Sequence, residues 1–256
     1  MSKIRTAFEN KKAFIGFVTA GDPSIKKTED FILDMAKAGT DLIEIGIPFS
    51  DPIAEGNVIQ RANIRALSAG TTTDQVFDMV KSVREKTDIP LVFLTYINPV
   101  FVYGYNRFFD ECKACGIDGI IIPDLPYEEK DEILNIAQDR NVDLITLIAP
   151  TSQNRIKTLA EHSTGFIYVV SSMGVTGVRS EIKTDLTAMV TMIKEVSSTP
   201  VAVGFGISTP KQAEEISKIA DGVIVGSAIV KIIEQFGSNA DEAIISYVKE
   251  MKAAIK

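Results

Sequence analysis

Glu44 and Glu55 are the residues from which chemistry can be argued first. Glu44 interrupts the aliphatic run LIEIGI at 42–47, and Glu55 follows in the loop PFSDPIAEG at 48–56, together with Asp51. A carboxylate buried among aliphatic side chains is costly unless it is paired or takes up a proton through a raised pKa. A raised pKa suits a general acid–base that exchanges its proton near neutral pH. A structural ion pair is the competing explanation, but the runs FIGFVT (14–19) and LVFLTY (91–96) contain no Lys or Arg. Glu44 is therefore read as a functional carboxylate.

Glycines mark a second centre. GFGIST (204–209) and VGSA (225–228) each continue an apolar run, and SSMGVTGVRSE (171–181) adds Gly174 and Gly177. Glycine lets the backbone approach an oxyanion, and a helix starting at Ser227 adds unpaired N–H donors and a partial positive charge. Gly177, Phe205, Gly206, Gly226 and Ser227 are thus expected to hold a phosphate. The 171–181 segment also reads as a lid with Thr176 between its glycines, an ordinary surface loop being the alternative.

Other chemistries are disfavoured. The formal net charge of −7 argues against nucleic acid, which needs a clustered positive surface, and leaves a small phosphate ester open. The single histidine, His162 in LAEHSTG, is expected at a helix end, and its isolation excludes most His-based triads and His-rich metal sites. Cys112 and Cys115 in CKAC fall in a helical pattern ending at Gly116, without a second pair to complete a metal site. They read as two helix cysteines in a reducing compartment, and no metal is expected.

These residues need a scaffold, and its elements are visible as alternation. Eight short apolar runs recur along the chain: FIGFVT, LIEIGI, LVFLTY, GIIIPD (119–124), LITLIA (144–149), FIYVVS (166–171), VAVGFG (201–206) and GVIVGS (222–227). Helical spacing separates them, as in TEDFILDMAKAG (28–39) and TDQVFDMVKSVREKT (73–87). Alternating strands and helices predict a parallel sheet, and strands apolar on both faces fit a sheet covered on both sides. A small residue, then Asp, opens several strands: AGTDLIEI, CGIDGIII, RNVDLITL, IADGVIVG. Eight modules in 256 residues predict an α/β chain closed into a (β/α)8 TIM barrel, one domain over 1–256. An open doubly wound sheet is the alternative; AGDPS after the first strand lacks its G-x-G-x-x-G fingerprint. No stretch approaches the ~20 apolar residues of a membrane helix. MSKIRTAFENKKAF lacks the apolar centre of a signal peptide, so a cytoplasmic location is expected.

Barrels carry their sites at the C-terminal ends of the strands. Strand alternation puts Leu42, Glu44 and Gly46 on one face and Ile43, Ile45 and Ile47 on the other, so Glu44 projects either into the barrel near its mouth or toward the helices. Asp22, Asp51, Glu55 and Asp124 fall at the same rim with Tyr96 and Tyr168, among Phe17, Leu94, Ile121 and Ile148. A phosphate pole, an apolar lining and carboxylates suit a substrate with a flat apolar part joined to a short phosphorylated chain.

At this point IEIGIPFSDPIAEG, FVTAGDP, IIPDLP, the GVTG loop, GFGIS and VGSAIV, in order along nearly the whole chain, resemble the α subunit of tryptophan synthase. PFSDP is specific to that family, whereas GFGIS and GSAIV occur in many phosphate-binding barrels. The resemblance implies retro-aldol cleavage of indole-3-glycerol phosphate to indole and glyceraldehyde 3-phosphate. It implies Glu44 as the acid–base, and Glu55, where many members have Asp, as the carboxylate facing the indole N–H. It further implies an indole pocket lined by Phe17, Leu94, Ile121, Ile148 and Tyr168, with Tyr96 supporting Glu44 and Thr176 closing the lid over Glu55 or Asp51. A β subunit carrying pyridoxal phosphate is the implied partner, in an α2β2 heterotetramer, with no cofactor in this chain. Two other readings remain: a phosphosugar isomerase or epimerase on the same kind of barrel, and a regulatory subunit that binds ligand and activates its partner.

Overall fold

In the computed structural model, which describes residues 3–150, 155–171, 182–204 and 206–255, nine strands form one parallel sheet. The first half of the chain runs β1 (Ala13–Thr19), α1 (Ile25–Ala38), β2 (Leu42–Gly46), α2 (Asn57–Ser68), α3 (Thr73–Arg84), β3 (Leu91–Leu94), α4 (Ile97–Tyr103), α5 (Tyr105–Cys115) and β4 (Gly119–Ile121). The second half runs α6 (Asp131–Asp139), β5 (Asp143–Leu144), β6 (Thr146–Ile148), α7 (Ile156–Glu161), β7 (Ile167–Val170), α8 (Ile182–Val196), β8 (Val201–Gly204), α9 (Pro210–Ser217), β9 (Gly222–Val225), α10 (Ser227–Phe236) and α11 (Asp241–Ala254).

The count of nine against eight expected comes from one strand divided at Ile145. Its first half pairs with β4 (Gly119 with Asp143) and its second with β7 (Thr146 with Ile167). That shared segment joins the two ends of the sheet order β5-β4-β3-β2-β1-β9-β8-β7-β6 and makes the sheet a nearly closed (β/α)8 TIM barrel. Several apolar runs are shorter as strands than as sequence. GIIIPD yields only Gly119–Ile121, because Pro123 has no N–H to donate to a ladder.

The strand-opening aspartates hold the closed end of the barrel. Asp41, just before β2, accepts the Phe14 N–H of β1 at 2.7 Å. Asp118, before β4, accepts the Leu91 N–H of β3 at 2.9 Å, and Asp221, before β9, accepts the Val201 N–H of β8 at 3.0 Å. Each carboxylate satisfies a strand-end donor on the preceding strand, which pins the register of the pair.

Alternation then divides the core in two. Ala13, Ile15, Leu42, Val92, Ile121, Ile145, Phe166, Tyr168, Ala202 and Ile224 fill the barrel, closed below by Ile4 and Ala7 of the N-terminal turn. Ile43, Ile45, Phe93 and Ile120 face outward among helix residues such as Phe31, Val80 and Phe108. As expected, Cys112 and Cys115 are buried on α5 and free, and His162 closes α7. Burial pushes the Cys115 thiol up to about 12, which removes its nucleophilic thiolate at neutral pH.

Candidate active site

Strand β2 shares its interior face with Leu42, a barrel-core residue, so Glu44 points into the barrel rather than toward the helices. It stands in register with Phe17 on β1 and Val92 on β3. The side chain is 1% exposed, and among the described residues its Oε1 has no hydrogen-bond partner. Burial without a counter-charge pushes its carboxyl up to about 8, so it holds a proton at neutral pH.

Two glycines make room beside it. A Cβ at Gly46 would lie 2.7 Å from the tip of the Phe17 ring, and one at Gly204 would lie 2.4 Å from the Tyr168 hydroxyl. Without side chains at these places, both rings fit into the barrel mouth. Tyr168 on β7 is buried, and its hydroxyl pKa is raised by burial and further by the charge of Glu44. Phe17, Leu94, Ile121 and Tyr168 all lie on interior positions, Phe17 and Leu94 packing with Ala62 and Val230 under α2.

Glu55 sits at the rim, half-buried, two residues before α2. Asn63 Nδ2 donates to its Oε2 at 2.5 Å, and the Tyr96 hydroxyl faces the carboxylate. Burial raises the Glu55 pKa to about 7, against the opposing pull of those two groups. The same Tyr96 hydroxyl accepts the Ala54 N–H at 3.1 Å, and the Tyr96 ring packs 5.4 Å from Phe49, so the tyrosine braces this loop. Its support goes to Glu55 and not to Glu44, contrary to the sequence expectation. The register explains this: Glu44 pairs with Val92, and Tyr96 lies four residues further toward the mouth, roughly 13 Å along the chain.

A second expectation is corrected by alternation. Tyr168 faces the interior and pairs with Leu147, which packs with the barrel core; Ile148 pairs with Val169 and turns to the helices with Ile156 and Leu159. Leu147, not Ile148, is the residue of that strand on the interior face. Of the other rim carboxylates, Asp22 is 1% exposed and bound by Arg65 through two bonds, at 2.8 and 2.7 Å. Asp124 accepts the Ile97 N–H at the start of α4. Both are committed to structure. Asp51 is exposed and bonded to Ser50.

At the other pole, α10 starts at Ser227 after Gly226 without a side-chain cap, which leaves its first N–H groups available to an anion. Gly206, exposed with φ 77°, lies in the neighbouring turn after β8. Thr176, Gly177 and Phe205 lie outside the described residues. No group of His, Cys, Asp and Glu among the described residues could hold a metal ion. Asn63, Arg65 and Leu147 escaped the sequence reading; the only signal for Asn63 was its helical spacing of three from Gln60, just past Glu55.

The model of the family described as tryptophan synthase alpha chain matches residues 4–256. The chain belongs to that family. A tryptophan synthase alpha chain of Lacticaseibacillus casei is 48% identical over 255 residues, covering 100% of this chain and 96% of the relative. Among solved structures, the tryptophan synthase alpha chain of Legionella pneumophila superposes with a TM-score of 0.89 at 35% identity, covering 99% of this chain and 97% of that one. A chain of the tryptophan synthase a2b2 complex from Pyrococcus furiosus gives 0.87 at 38% identity, covering 94% and 98%. A tryptophan synthase alpha chain is a carbon–carbon lyase acting on indole-3-glycerol phosphate.

Proposed function

We propose that Glu44 carries the retro-aldol cleavage of indole-3-glycerol phosphate to indole and glyceraldehyde 3-phosphate as a single acid–base. The observation behind this reading is a buried carboxyl, unpaired at Oε1, that faces an apolar barrel mouth with its pKa raised to about 8. A protonated Glu44 delivers its proton to C3 of the indole ring, which becomes a cationic indolenine. The resulting carboxylate accepts the hydroxyl proton of the glycerol chain as the C–C bond breaks. The bonding electrons return to the ring, the hydroxyl carbon becomes the aldehyde, and Glu44 ends protonated as it began. Glu55, held by Asn63 and Tyr96, supplies the negative charge that stabilises the indolenine N–H. Phe17, Leu94, Ile121 and Tyr168 line the indole slot, and the backbone N–H groups at Gly206, Gly226 and Ser227 receive the phosphate.

The chain needs no cofactor for these steps. By extension from the Pyrococcus furiosus complex, it assembles with a β subunit in an α2β2 tetramer; the family resemblance adds that this subunit carries pyridoxal phosphate and consumes the indole. Ile53, Phe101 and Val102, exposed in the segments that follow β2 and β3, offer that partner an apolar face. Among the described residues no helix is long and apolar enough to cross a membrane, in keeping with a cytoplasmic location.

The test is indole release from indole-3-glycerol phosphate, with and without a β subunit, for wild type and Glu44→Gln. Turnover should fall by roughly 10²- to 10⁴-fold with substrate binding retained. Unchanged turnover would sink the assignment. Wild-type release that is absent under both conditions would favour a regulatory subunit.

A further inference from the structure

Asn63 touches no reacting atom in the chemistry just described, yet it is 4% exposed and its side-chain amide is spent on the Glu55 carboxylate. It is the seventh residue of α2, well inside the helix and away from any capping position. Asparagine is a poor choice there, because its amide competes with the helical backbone. Its hydrogen bond goes to Glu55 Oε2 at 2.5 Å. One turn earlier on the same helix face, Gln60 Nε2 donates to the Glu55 backbone carbonyl at 2.8 Å. Helix α2 therefore grips both the main chain and the side chain of Glu55, two residues before its start.

The helix that does the gripping is itself anchored. Arg61 and Arg65 both bond to Glu234 on α10, at 2.6 and 3.0 Å. Arg65 also holds the buried Asp22 after β1, and Ala62 packs fully buried with Phe17 and Val230. Asn63 thus projects from a helix fixed to the strand that carries Phe17 and to the helix whose start receives phosphate.

We propose that Asn63 is a positioning residue for Glu55, setting the direction of the carboxylate toward the indole N–H from the anchored frame of α2. This rests on the role given to Glu55 above. A neutral donor is what the position calls for: an aspartate would repel Glu55, and an aliphatic residue would leave Oε2 without this bond.

A double-mutant cycle tests it. Indole release from indole-3-glycerol phosphate is measured under single-turnover conditions, with steady-state KM alongside, for wild type, Asn63→Ala, Glu55→Gln and the double variant. Thermal unfolding of each variant verifies that the fold is intact, and Asn63→Leu, close in volume and lacking a donor, replaces Asn63→Ala if the latter unfolds. The expected result is a loss of roughly tenfold to a hundredfold in the rate, the worth of a hydrogen bond to a charged group, with KM changed less than about threefold. In the Glu55→Gln background the same substitution should cost less than about twofold. Equal losses in both backgrounds, or a loss confined to KM, would overturn the role of Asn63 while leaving Glu55 in place. A wild-type rate for Glu55→Gln alone would overturn the role of Glu55 and, with it, this inference.

Discussion

Glu44→Gln should stabilise the protein, and by an amount that grows with pH. In the folded chain burial raises the Glu44 carboxyl from its ordinary 4.5 to about 8; in the unfolded chain it titrates normally. Below pH 4.5 both states are protonated and the residue contributes no pH dependence. Between 4.5 and 8 the folded state keeps a proton that the unfolded state has released, so wild-type stability falls as pH rises through this window and levels off above it. At about 1.4 kcal/mol per pH unit, the penalty reaches about 3 kcal/mol at pH 7 and about 5 kcal/mol above pH 8. A glutamine at this position does not titrate. Its amide adds only a fixed offset for burying a polar group, so the pH-dependent part isolates the carboxyl. In a chain of this size, about 3 kcal/mol corresponds to a Tm difference of roughly 6–12 °C. The assay is thermal unfolding of both proteins followed by circular dichroism, from about pH 5 to about pH 8.5. The Tm gap should widen steadily in favour of the variant. A gap that stays constant across the window would mean that Glu44 titrates as an ordinary carboxylate, and the physical basis for its acid–base role would be gone.

Three further outcomes follow from particular contacts. Gly204→Ala puts a methyl 2.4 Å from the Tyr168 hydroxyl; the ring must shift, and kcat for indole release should drop roughly tenfold to a hundredfold, whereas wild-type kcat would show that the ring is not needed where it stands. Arg65→Met leaves the buried Asp22 without its partner and should cost about 3 kcal/mol in urea unfolding; a loss below about 1 kcal/mol would contradict the anchoring of α2. Ser227→Asp places a negative charge at the uncapped start of α10, so KM for the phosphorylated substrate should rise about tenfold or more with a smaller effect on kcat, and an unchanged KM would move the phosphate elsewhere.

Much of this architecture was legible in the chain. The eight apolar runs, their alternation with helical spacing and the recurring Asp at strand starts led directly to a parallel barrel, and the structure gives three of those aspartates, Asp41, Asp118 and Asp221, a task, namely bonding an N–H at the start of the neighbouring strand. The anomaly of Glu44 was legible because alternation is a local rule: a charged residue at an apolar position can be recognised without knowing the fold. Phe17, Leu94, Ile121 and Tyr168, named from the strand ends and from the family resemblance, all lie on interior positions. Ile148, named with them, turns to the helices, because alternation along that strand puts Ile145 and Leu147 inside and Ile148 outside.

What one sequence determines by itself is whatever depends on neighbours along the chain: propensity, periodicity, turn glycines, and the presence of a carboxylate that cannot be solvated. Tertiary structure decided which carboxylates remain available. Asp22 and Asp124 fall at the same rim as Glu55 in sequence, but Arg65 and the Ile97 N–H consume them. Tyr96 was assigned to one glutamate and serves the other, and Asn63 carried no mark of its own. Partners of this kind come from positions up to tens of residues apart, brought within about 3 Å only when the barrel closes, and desolvation exists only once that closure has excluded water.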